Sequence, residues 1–407
     1  QKIVLESYNN LSLDPNSPNF ISKVIGGMSK SVATDGTDKY IKETGTYPNA
    51  SKYVRIKTVN YLTPDYFDNA GVAKDEFTAS LPDAPQSSSL DGAIGSNIPD
   101  LAGFSRKMNF YSDIDNTDSQ GLVGDNYTDA IGLMANTDAY KFNVLSTPGL
   151  INANALQTSA ISTAVSNTQT RGDSIFIVDL VNYDTALSTV TTQAAGFDSS
   201  YAAAYWPWVQ VVDPNTAEIV FVPASTMIPG VYAFTDASSD PWFAPAGITR
   251  GALGQVIKAE RRLTVNNRDT LYEANVNPIA TFPGQGVVVF GQKTLQKKSS
   301  ALDRVNVRRL MIALKSFIGQ VSDNLVFEQN TVITRNSFLS QVNPYLESVQ
   351  QRQGLFAFKV VMDDTNNTPA VIDRNQLVGQ IFLQPTKTAE FIILDFNILP
   401  TGATFPA

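Results

Sequence analysis

The chain has 407 residues, of which 43% are hydrophobic and 17% charged, a composition typical of globular proteins. Its formal net charge of −8 provides no overall attraction to nucleic acid or anionic lipid, so we expect no direct nucleic-acid partner. Cysteine and histidine are both absent. Their absence excludes disulfides, thiolate or imidazole metal sites, and catalysis by Ser-His-Asp or Cys-His groups.

The hydropathy and the start of the chain give expectations about its origin. No apolar run approaches the roughly 20 residues of a membrane-spanning helix, so we expect no membrane insertion. The first residues also lack the layout of a signal peptide. The chain begins at Gln1, within a strand-like phrase, and we therefore interpret it as a piece of a longer protein.

Residues 1–120 are polar and rich in turn-forming residues, which indicates a β-rich region. Strand patterns occur at Ile3–Leu5 and Tyr53–Asn60, and the spacing of apolar residues in Phe20–Ile25 predicts one helical turn. The stretch Leu81–Gly103 is expected to be a long surface loop.

Residues 121–282 alternate between helical and strand patterns, which is typical of an α/β domain. Apolar periodicity predicts three helices: Ala130–Ala139, Ile151–Asn167 and Ala186–Ala195. Apolar runs predict three strands: Asn143–Leu145, Ser174–Leu180 and Trp208–Val212. The proline- and glycine-rich stretch Phe234–Thr249 is expected to be a loop that ends this unit.

Residues 283–407 are expected to form a C-terminal domain of helices and a sheet. Ser300 and Asp303 resemble a capping box that opens a helix with an apolar stripe from Val307 to Val321. The other predicted helices are Asn336–Gln353, kinked or shifted by Pro344 and stopped by Gly354, and Asp373–Gly379. The predicted strands are Gly286–Gly291, Leu355–Met362, Gln380–Leu383 and Ala389–Ile398. The whole chain is therefore predicted to be a multidomain α/β (α+β) protein.

Motifs for cofactors and metals are weak in this sequence. The segment Gly286–Thr294 differs from a phosphate-binding loop because Gln292 precedes the lysine and β-branched residues fill its middle. The acidic residues Asp363, Asp364 and Asp373 lack the spacing of a calcium loop. We therefore expect no cofactor, no metal and no enzymatic activity, although a carboxylate-based hydrolase remains an alternative.

A concentration of positive charge lies between Gly291 and Ile318. Seven basic residues and one acidic residue give this stretch a net charge of +6, against −14 for the rest of the chain. On a helix, Arg304, Arg308 and Lys315 fall within roughly a 40° sector. The sector is either a solvated face or a docking face for an acidic surface.

A second unusual feature is the loop Pro241-Trp242-Phe243-Ala244-Pro245-Ala246-Gly247. An aromatic pair between prolines is costly to leave in water, so we expect packing within or between subunits, with ligand stacking as the alternative. Together with other phrases, this loop resembles the contractile tail sheath proteins of T-even-type phages and related injection systems. The matching phrases, in family order, are Asn143–Leu150, Tyr201–Val209, Phe221–Tyr232, Asp240–Gly251, Val289–Leu295, Val305–Leu310, Asn366–Asp373 and Phe391–Phe405.

The resemblance implies a structural subunit that polymerises around a tail tube and contracts by rigid-body rearrangement to drive the tube through the host envelope. It implies a variable outer region at 1–120, a conserved sheath core at 121–282 and a tube-facing domain at 283–407. The implied partners are further copies of the chain, the tail tube, the baseplate and the tail terminator. The implied location is the virion tail, after assembly in the host cytoplasm. The start of this chain lacks the Pro-Gly-Val-Tyr phrase that is typical of the family's N-terminal arm.

The resemblance also assigns roles to individual residues. The tube-facing candidates are Lys297, Lys298, Arg304, Arg308 and Lys315. The terminal segment 390–407 is expected to contain a strand that links neighbouring subunits, with candidates Glu390, Phe391, Ile392, Ile393, Leu394 and Phe396. The family-motif loop contributes Pro241, Trp242, Phe243, Pro245 and Gly247. A surface-layer protein or adhesin remains a further alternative, favoured only by the polar first 120 residues.

Overall fold

The computed structural model describes residues 4–15, 17–35, 38–59, 124–155, 157–214 and 219–390. The chain divides into two compact units, one of residues 1–141 and 149–171 and the other of residues 142–148 and 172–407. Helices and several separate sheets are mixed along the chain, which confirms the predicted multidomain α/β class. The predicted loop Leu81–Gly103 lies outside the described residues.

The first unit contains a short helix, a hairpin and two longer helices. Its elements are α1 (Ile21–Ile25), β1 (Ser29–Asp35), β2 (Asp38–Thr44), α2 (Gly124–Leu133) and α3 (Thr158–Arg171). The predicted turn at Phe20–Ile25 is confirmed. The strands predicted at Ile3–Leu5 and Tyr53–Asn60 are wrong, because their described residues are irregular. Sequence reasoning missed the hairpin, since polar and charged residues occupy most of both strands.

Helices α2 and α3 of the first unit pack against each other. The Asn167 amide donates to the Ile131 carbonyl at 3.1 Å, and the Arg171 guanidinium donates to the Tyr140 carbonyl at 2.8 Å. Helix α3 begins later than predicted because the chain is still extended at Ile151. The Ile151 main-chain N–H donates to the side chain of Gln157, a buried residue, at 2.7 Å.

The second unit contains most of the strands and helices. Its elements up to residue 289 are residues 144–148 of β3 (Val144–Ile151), β4 (Ile175–Asp179), α4 (Leu187–Ala194), β5 (Ala202–Trp206), β6 (Val209–Val212), β7 (Ile219–Val222), α5 (Ile228–Ser238), α6 (Gly247–Arg250), β8 (Val256–Ala259), α7 (Val265–Glu273), β9 (Val276–Phe282) and β10 (Gly286–Val289). The elements that follow are α8 (Val305–Asp323), α9 (Val332–Gln351), β11 (Leu355–Val361), α10 (Pro369–Ile372) and β12 (Gln380–Pro385).

Three sheets organise the second unit. The five-stranded sheet has the order β10-β9-β5-β4-β3, and β5 pairs in parallel with both β4 and β9. All five residues of β4 are buried, as expected for an apolar strand covered on both faces. A three-stranded antiparallel sheet has the order β7-β6-β8 and packs residues such as Val209 into the same core. Strands β11 and β12 form a separate antiparallel pair.

Helices α8 and α9 and the β11–β12 sheet enclose a second core. Leu310, Leu314, Val342 and Leu346 are buried there, so the predicted stripe on α8 is confirmed. The side chain of Ser300 caps a short 3₁₀ turn, and α8 starts only after that turn. The predicted capping box therefore opens the turn and not the helix itself.

The end of helix α9 differs from the prediction. The helix runs through Pro344, and Gln353 adopts the left-handed conformation at φ +65° that the prediction gave to Gly354. Gly354 is needed for space instead, since a Cβ there would lie 2.6 Å from Val349 Cγ1 and 3.1 Å from the Trp242 ring. Glycine is therefore required at position 354 because the end of α9 and the loop that contains Trp242 approach each other closely there.

Three further findings concern boundaries and hydropathy. Helix α5 takes up residues to Ser238, which the sequence assigned to the loop Phe234–Thr249. Helix α10 ends at Ile372, before the short helix predicted at Asp373–Gly379. In the described part of the chain, no helix is both long and apolar enough to cross a bilayer.

Candidate functional site

A groove of about 830 Å³ lies in the second unit beside the family-motif loop. The loop forms one side, and the segment 386–390, which leads into the C-terminal residues, forms another. Helix α7, the residues after β10 and the start of α8 contribute the remaining walls. The groove therefore brings together two sets of residues that the sequence singled out separately.

Trp242 fixes the loop to the C-terminal core. Its ring is buried, and its indole N–H donates to the Arg352 carbonyl at 3.0 Å. The Arg352 guanidinium lies 4.8 Å from the ring centroid and pairs with Asp240 at 2.6 Å. The Asn306 amide of α8 donates to the Trp242 carbonyl at 3.1 Å. This side chain therefore packs within its own chain.

The rest of the loop forms an aromatic wall of the groove. Phe243 and Gly247 line the groove, and Pro241 and Pro245 bracket the aromatic pair in the sequence. Arg250 lies 5.1 Å from the Phe243 ring centroid, and its guanidinium donates to a loop carbonyl at 3.0 Å. The wall is thus aromatic, with a guanidinium held against it.

Glu390 is the centre of a charged cluster at the other side of the groove. Arg304 donates to both of its carboxylate oxygens, at 2.7 and 3.0 Å. The Tyr272 hydroxyl donates to Glu390 at 2.8 Å, and the Gln292 amide donates to it at 3.1 Å. Because these donors come from three separate segments, the cluster fixes the point from which residues 391–407 continue.

The electrostatics favour the charged form of Glu390. Burial alone raises the pKa of this carboxyl, but hydrogen bonds from Arg304 and Tyr272 outweigh burial and hold its pKa below the ordinary value. Burial and the Glu390 charge raise the pKa of Tyr272. Burial and the Arg304 charge lower the pKa of Lys293, beside the same cluster. At neutral pH the site therefore holds an ionised, bidentate Arg–carboxylate pair.

Two acceptor oxygens on residues that line the groove lack a partner. Gln292 Oε1 and Asn306 Oδ1 are buried and make no hydrogen bond with any described residue. An unsatisfied buried acceptor costs about 1–3 kcal/mol.

The predicted basic sector is not a continuous exposed face. Arg308 is only 6% exposed, lies 3.8 Å from the Tyr201 ring centroid and donates to the Ser200 hydroxyl. Burial lowers the pKa of Arg308. Arg304 is bound to Glu390 in the cluster above. The solvated-face interpretation of the sector is therefore wrong for Arg308, whereas the Arg304 side chain remains 26% exposed. An angular position on a helix does not say what packs against it.

The lysines of the same stretch are exposed. Lys297, Lys298 and Lys315 all lie on the surface of the second unit. The Lys297 main-chain N–H donates to Asp198 at 2.9 Å, and the Lys298 carbonyl accepts from Gln296 at 2.6 Å. These bonds involve only main-chain atoms of the two lysines. Because the lysines are exposed, they carry most of the positive charge that this stretch presents to solvent.

The linker candidates are described only at their first residue. Glu390 is irregular, whereas Phe391, Ile392, Ile393, Leu394 and Phe396 lie outside the described residues. Within the described part of the chain, strands β11 and β12 pair only with each other, so each has an edge without a partner strand. Such edges are sites where a further strand can add.

A carboxylate away from the groove has an unusual environment. Asp179 is buried in β4, where it accepts hydrogen bonds from the Ser225 hydroxyl at 2.5 Å and the Ser225 main-chain N–H at 3.2 Å. Burial raises its pKa to about 7. Among the described residues, no cluster of three carboxylates has the geometry of a metal site. Asp179 is enclosed in the core, so we treat it as a structural group.

Sequence reasoning missed two polar contacts that hold this unit together. Asn277 is fully buried in β9, where its amide donates to the carbonyls of Ala204 and Lys293 at 3.1 and 2.8 Å. Arg309 Nη2 donates to both carboxylate oxygens of Asp236, at 2.6 and 2.7 Å. An asparagine inside an apolar strand could have been used to predict a buried polar contact at Asn277. No local sequence pattern links Arg309 to Asp236.

Comparison with known proteins places these features in a family. Residues 121–295 match the family model for the phage tail sheath protein central domain, and residues 297–399 match the model for the phage tail sheath C-terminal domain. The two models follow one another and together match more than half of the chain. The chain belongs to the phage tail sheath family.

Individual relatives agree with this assignment. The chain is 39% identical to the tail sheath protein of Vibrio phage KVP40 over 216 residues, which are 53% of this chain and 31% of the relative. It is 38% identical to the tail sheath protein of Enterobacteria phage T4 over 227 residues, which are 56% of this chain and 34% of the relative. The chain thus spans about a third of the length of these curated relatives.

Solved sheath structures share the fold. The helical sheath of the anti-feeding prophage in its contracted state matches with a TM-score of 0.56 and 26% identity, over 68% of this chain and 75% of that chain. The sheath complex of an extracellular contractile injection system (PVC), also contracted, matches with a TM-score of 0.54 and 23% identity, over 63% of this chain and 71% of that chain. These relatives do not support the hydrolase and adhesin alternatives.

Proposed function

We propose that this chain, which matches the central and C-terminal sheath domains, acts in a contractile tail sheath, with a structural and not an enzymatic role. The observation that carries the proposal is the ordered match to both sheath domains, with 38–39% identity to two phage tail sheath proteins. Copies of the subunit polymerise around a tail tube and contract by rigid-body rearrangement. The location is the virion tail, after assembly in the host cytoplasm.

The sheet of β11 and β12 supports a linkage between copies. On its outer face Phe356 and Phe382 are exposed, while Phe358 and Ile381 pack into the C-terminal core. A strand added at a free edge makes main-chain hydrogen bonds without a deep pocket. We assign the added strand to the apolar segment after Glu390 of a neighbouring copy.

The Glu390 cluster supports the same linkage from the donor side. A linker that transmits movement during contraction must be held firmly where it leaves its own subunit. If its first residues were mobile, one subunit could move without moving its neighbour. Arg304 and Tyr272 hold Glu390 by three hydrogen bonds immediately before that segment. The cluster therefore acts as an anchor for the linker.

The remaining proposed partners are the tail tube, the baseplate and the tail terminator. For the tube, the candidates that lie on the surface are Lys297, Lys298 and Lys315. An acidic tube surface would attract them without any buried ion pair. Arg304 and Arg308 have internal roles and are removed from the tube-facing set.

The linker is tested by deleting residues 391–407 and retaining Glu390, so that Arg304 keeps its partner. We expect the truncated chain to fold, as judged by circular dichroism, and to form no striated cylinders in negative-stain electron microscopy, alone or with tail tubes. A peptide of residues 390–407 added to the intact chain should block growth by occupying the free sheet edge, whereas a scrambled peptide should not. Normal cylinders from the truncated chain would refute the linker.

A further inference from the structure

The connection between helices α8 and α9 exposes an apolar tip, which we define as residues 324–333. Phe327 is fully exposed, and Val326, Val332 and Ile333 are also exposed. Phe327 has a φ of +71°, in a left-handed region that aromatic residues rarely adopt. Contiguous exposed apolar residues mark interaction sites in soluble proteins, and strained backbone concentrates at functional positions. The tip therefore has the properties of an inserting element.

The charge of the tip has one sign. Asp323 precedes it, Glu328 lies within it, and both are exposed. No basic residue occurs between Lys315 and Arg335. The tip is thus an acidic surface around an aromatic side chain.

The groove described above has the complementary properties. Arg250 and Arg268 line it, and neither forms an ion pair with a carboxylate of the described residues. Arg268 lies 5.7 Å from the ring centroid of Phe290, which is exposed and also lines the groove. Exposed Val265 extends the apolar wall. Lys387 adds a third positive charge, and the carboxylates in the lining are Asp269 and Glu390, of which Glu390 is paired with Arg304. The groove is therefore aromatic with a net positive charge.

We propose that the α8–α9 tip of one copy inserts into the groove of a second copy of this chain. Phe327 packs against the aromatic wall, and Glu328 pairs with the groove arginines. This inference rests on the proposed function and names the second surface through which copies of the sheath subunit meet.

The geometry of such a contact suits an extended array. The tip and the groove are different surfaces of the same chain, so the contact is heterologous, and an open series of copies has a free tip at one end and a free groove at the other. A heterologous contact builds a ring or a helix, according to the rotation between copies. Inside the array the contact adds to the strand linkage and does not replace it.

The absence of cysteine allows a direct test. Val265→Cys and Phe327→Cys change two exposed positions, one in the groove and one on the tip. The two variants are purified, mixed under assembly conditions and oxidised mildly, and covalent dimers are counted on non-reducing gels. Ile219→Cys, at an exposed apolar position on the three-stranded sheet, replaces Phe327→Cys in the control mixture.

The result expected is a covalent dimer in the Val265→Cys and Phe327→Cys mixture, at least about tenfold above the control, because a disulfide requires Cα atoms within about 7 Å. Electron microscopy of the same samples separates the two proposals. Striated cylinders with no excess of dimer would overturn the tip–groove contact and leave the sheath assignment standing. Dimers without cylinders would support the contact and contradict the sheath assignment, and the absence of both would overturn both.

Discussion

Asp179 makes the stability of this chain depend on pH in a predictable direction. Its side chain is enclosed in the core of the second unit, and burial raises its pKa from the ordinary 3.8 to about 7. The folded chain therefore binds this proton more tightly than the unfolded chain. The resulting contribution to stability is complete below about pH 3.8 and is lost as the pH rises through 7.

The magnitude follows from the shift. One pKa unit corresponds to about 1.4 kcal/mol, so the full difference of roughly three units is worth about 4 kcal/mol. Between pH 5 and pH 8 the integrated loss is roughly 2–3 kcal/mol. Since the chain has no histidine, no imidazole titrates in this window.

The perturbation is Asp179→Asn, assayed by urea denaturation at pH values from 5 to 8. Asparagine can accept from the Ser225 main-chain N–H and donate to the Ser225 hydroxyl, so both hydrogen bonds persist. We expect the variant to lose most of the pH slope and to be more stable than the parent at pH 8. The control is Asp323→Asn, which makes the same charge change at an exposed carboxylate. Parallel curves for the parent and Asp179→Asn would refute the reasoning.

Two further predictions concern a close contact and the surface charge. Gly354→Ala should lower stability by about 1–3 kcal/mol, because its Cβ overlaps the end of α9 and the loop tryptophan. By contrast, Gly319→Ala, at a helical position with open space, should raise stability by roughly 0.5–1 kcal/mol; thermal melting compares the two. Combined Lys297→Glu and Lys298→Glu should weaken assembly on tail tubes more than polymerisation without tubes, measured by cosedimentation. Arg262→Glu, also exposed, serves as the charge control, and equal losses in both assays would exclude a tube-facing role.

The elements that could be predicted from the sequence carry their signal within one contiguous segment. Strand β4 is apolar up to its last residue, Asp179, because both of its faces are covered. Helix α8 repeats apolar residues at helical spacing from Val307 to Val321. Burial of one side of a helix produces this spacing of apolar residues, and burial of both faces of a strand produces a continuous apolar run. The packing of the loop around Trp242 could be predicted for a related reason. Exposing an aromatic pair to water costs free energy, so such a pair is expected to have a packing partner.

The elements that could not be predicted lack this local signal. The β1–β2 hairpin pairs polar and charged strands, with Ser31 opposite Lys42 and Thr34 opposite Lys39, so it has little apolar alternation to detect. At the end of α9, Gln353 takes a conformation for which glycine is the usual residue. Packing around Gly354 outweighs the local backbone preference there.

The site itself depends on contacts that no local pattern contains. Arg304 and Glu390 are 86 residues apart, and Arg309 and Asp236 are 73 residues apart. Composition shows that the segment from Gly291 to Ile318 is basic, yet it does not show which charges are already paired. A helical projection gives the angular position of Arg308 around the helix axis, but it cannot show that Tyr201 covers this side chain.

The division between arginine and lysine in that segment has a physical reason. A guanidinium is weakly hydrated, presents a planar fork to a carboxylate and stacks on aromatic rings, so it can be buried at a low cost. Arg304, Arg308 and Arg309 use these properties inside the unit. An ammonium is strongly hydrated and stays at the surface, as Lys297 and Lys298 do. Reversing the arginine charges would therefore damage the fold first, and only the lysines can report on docking.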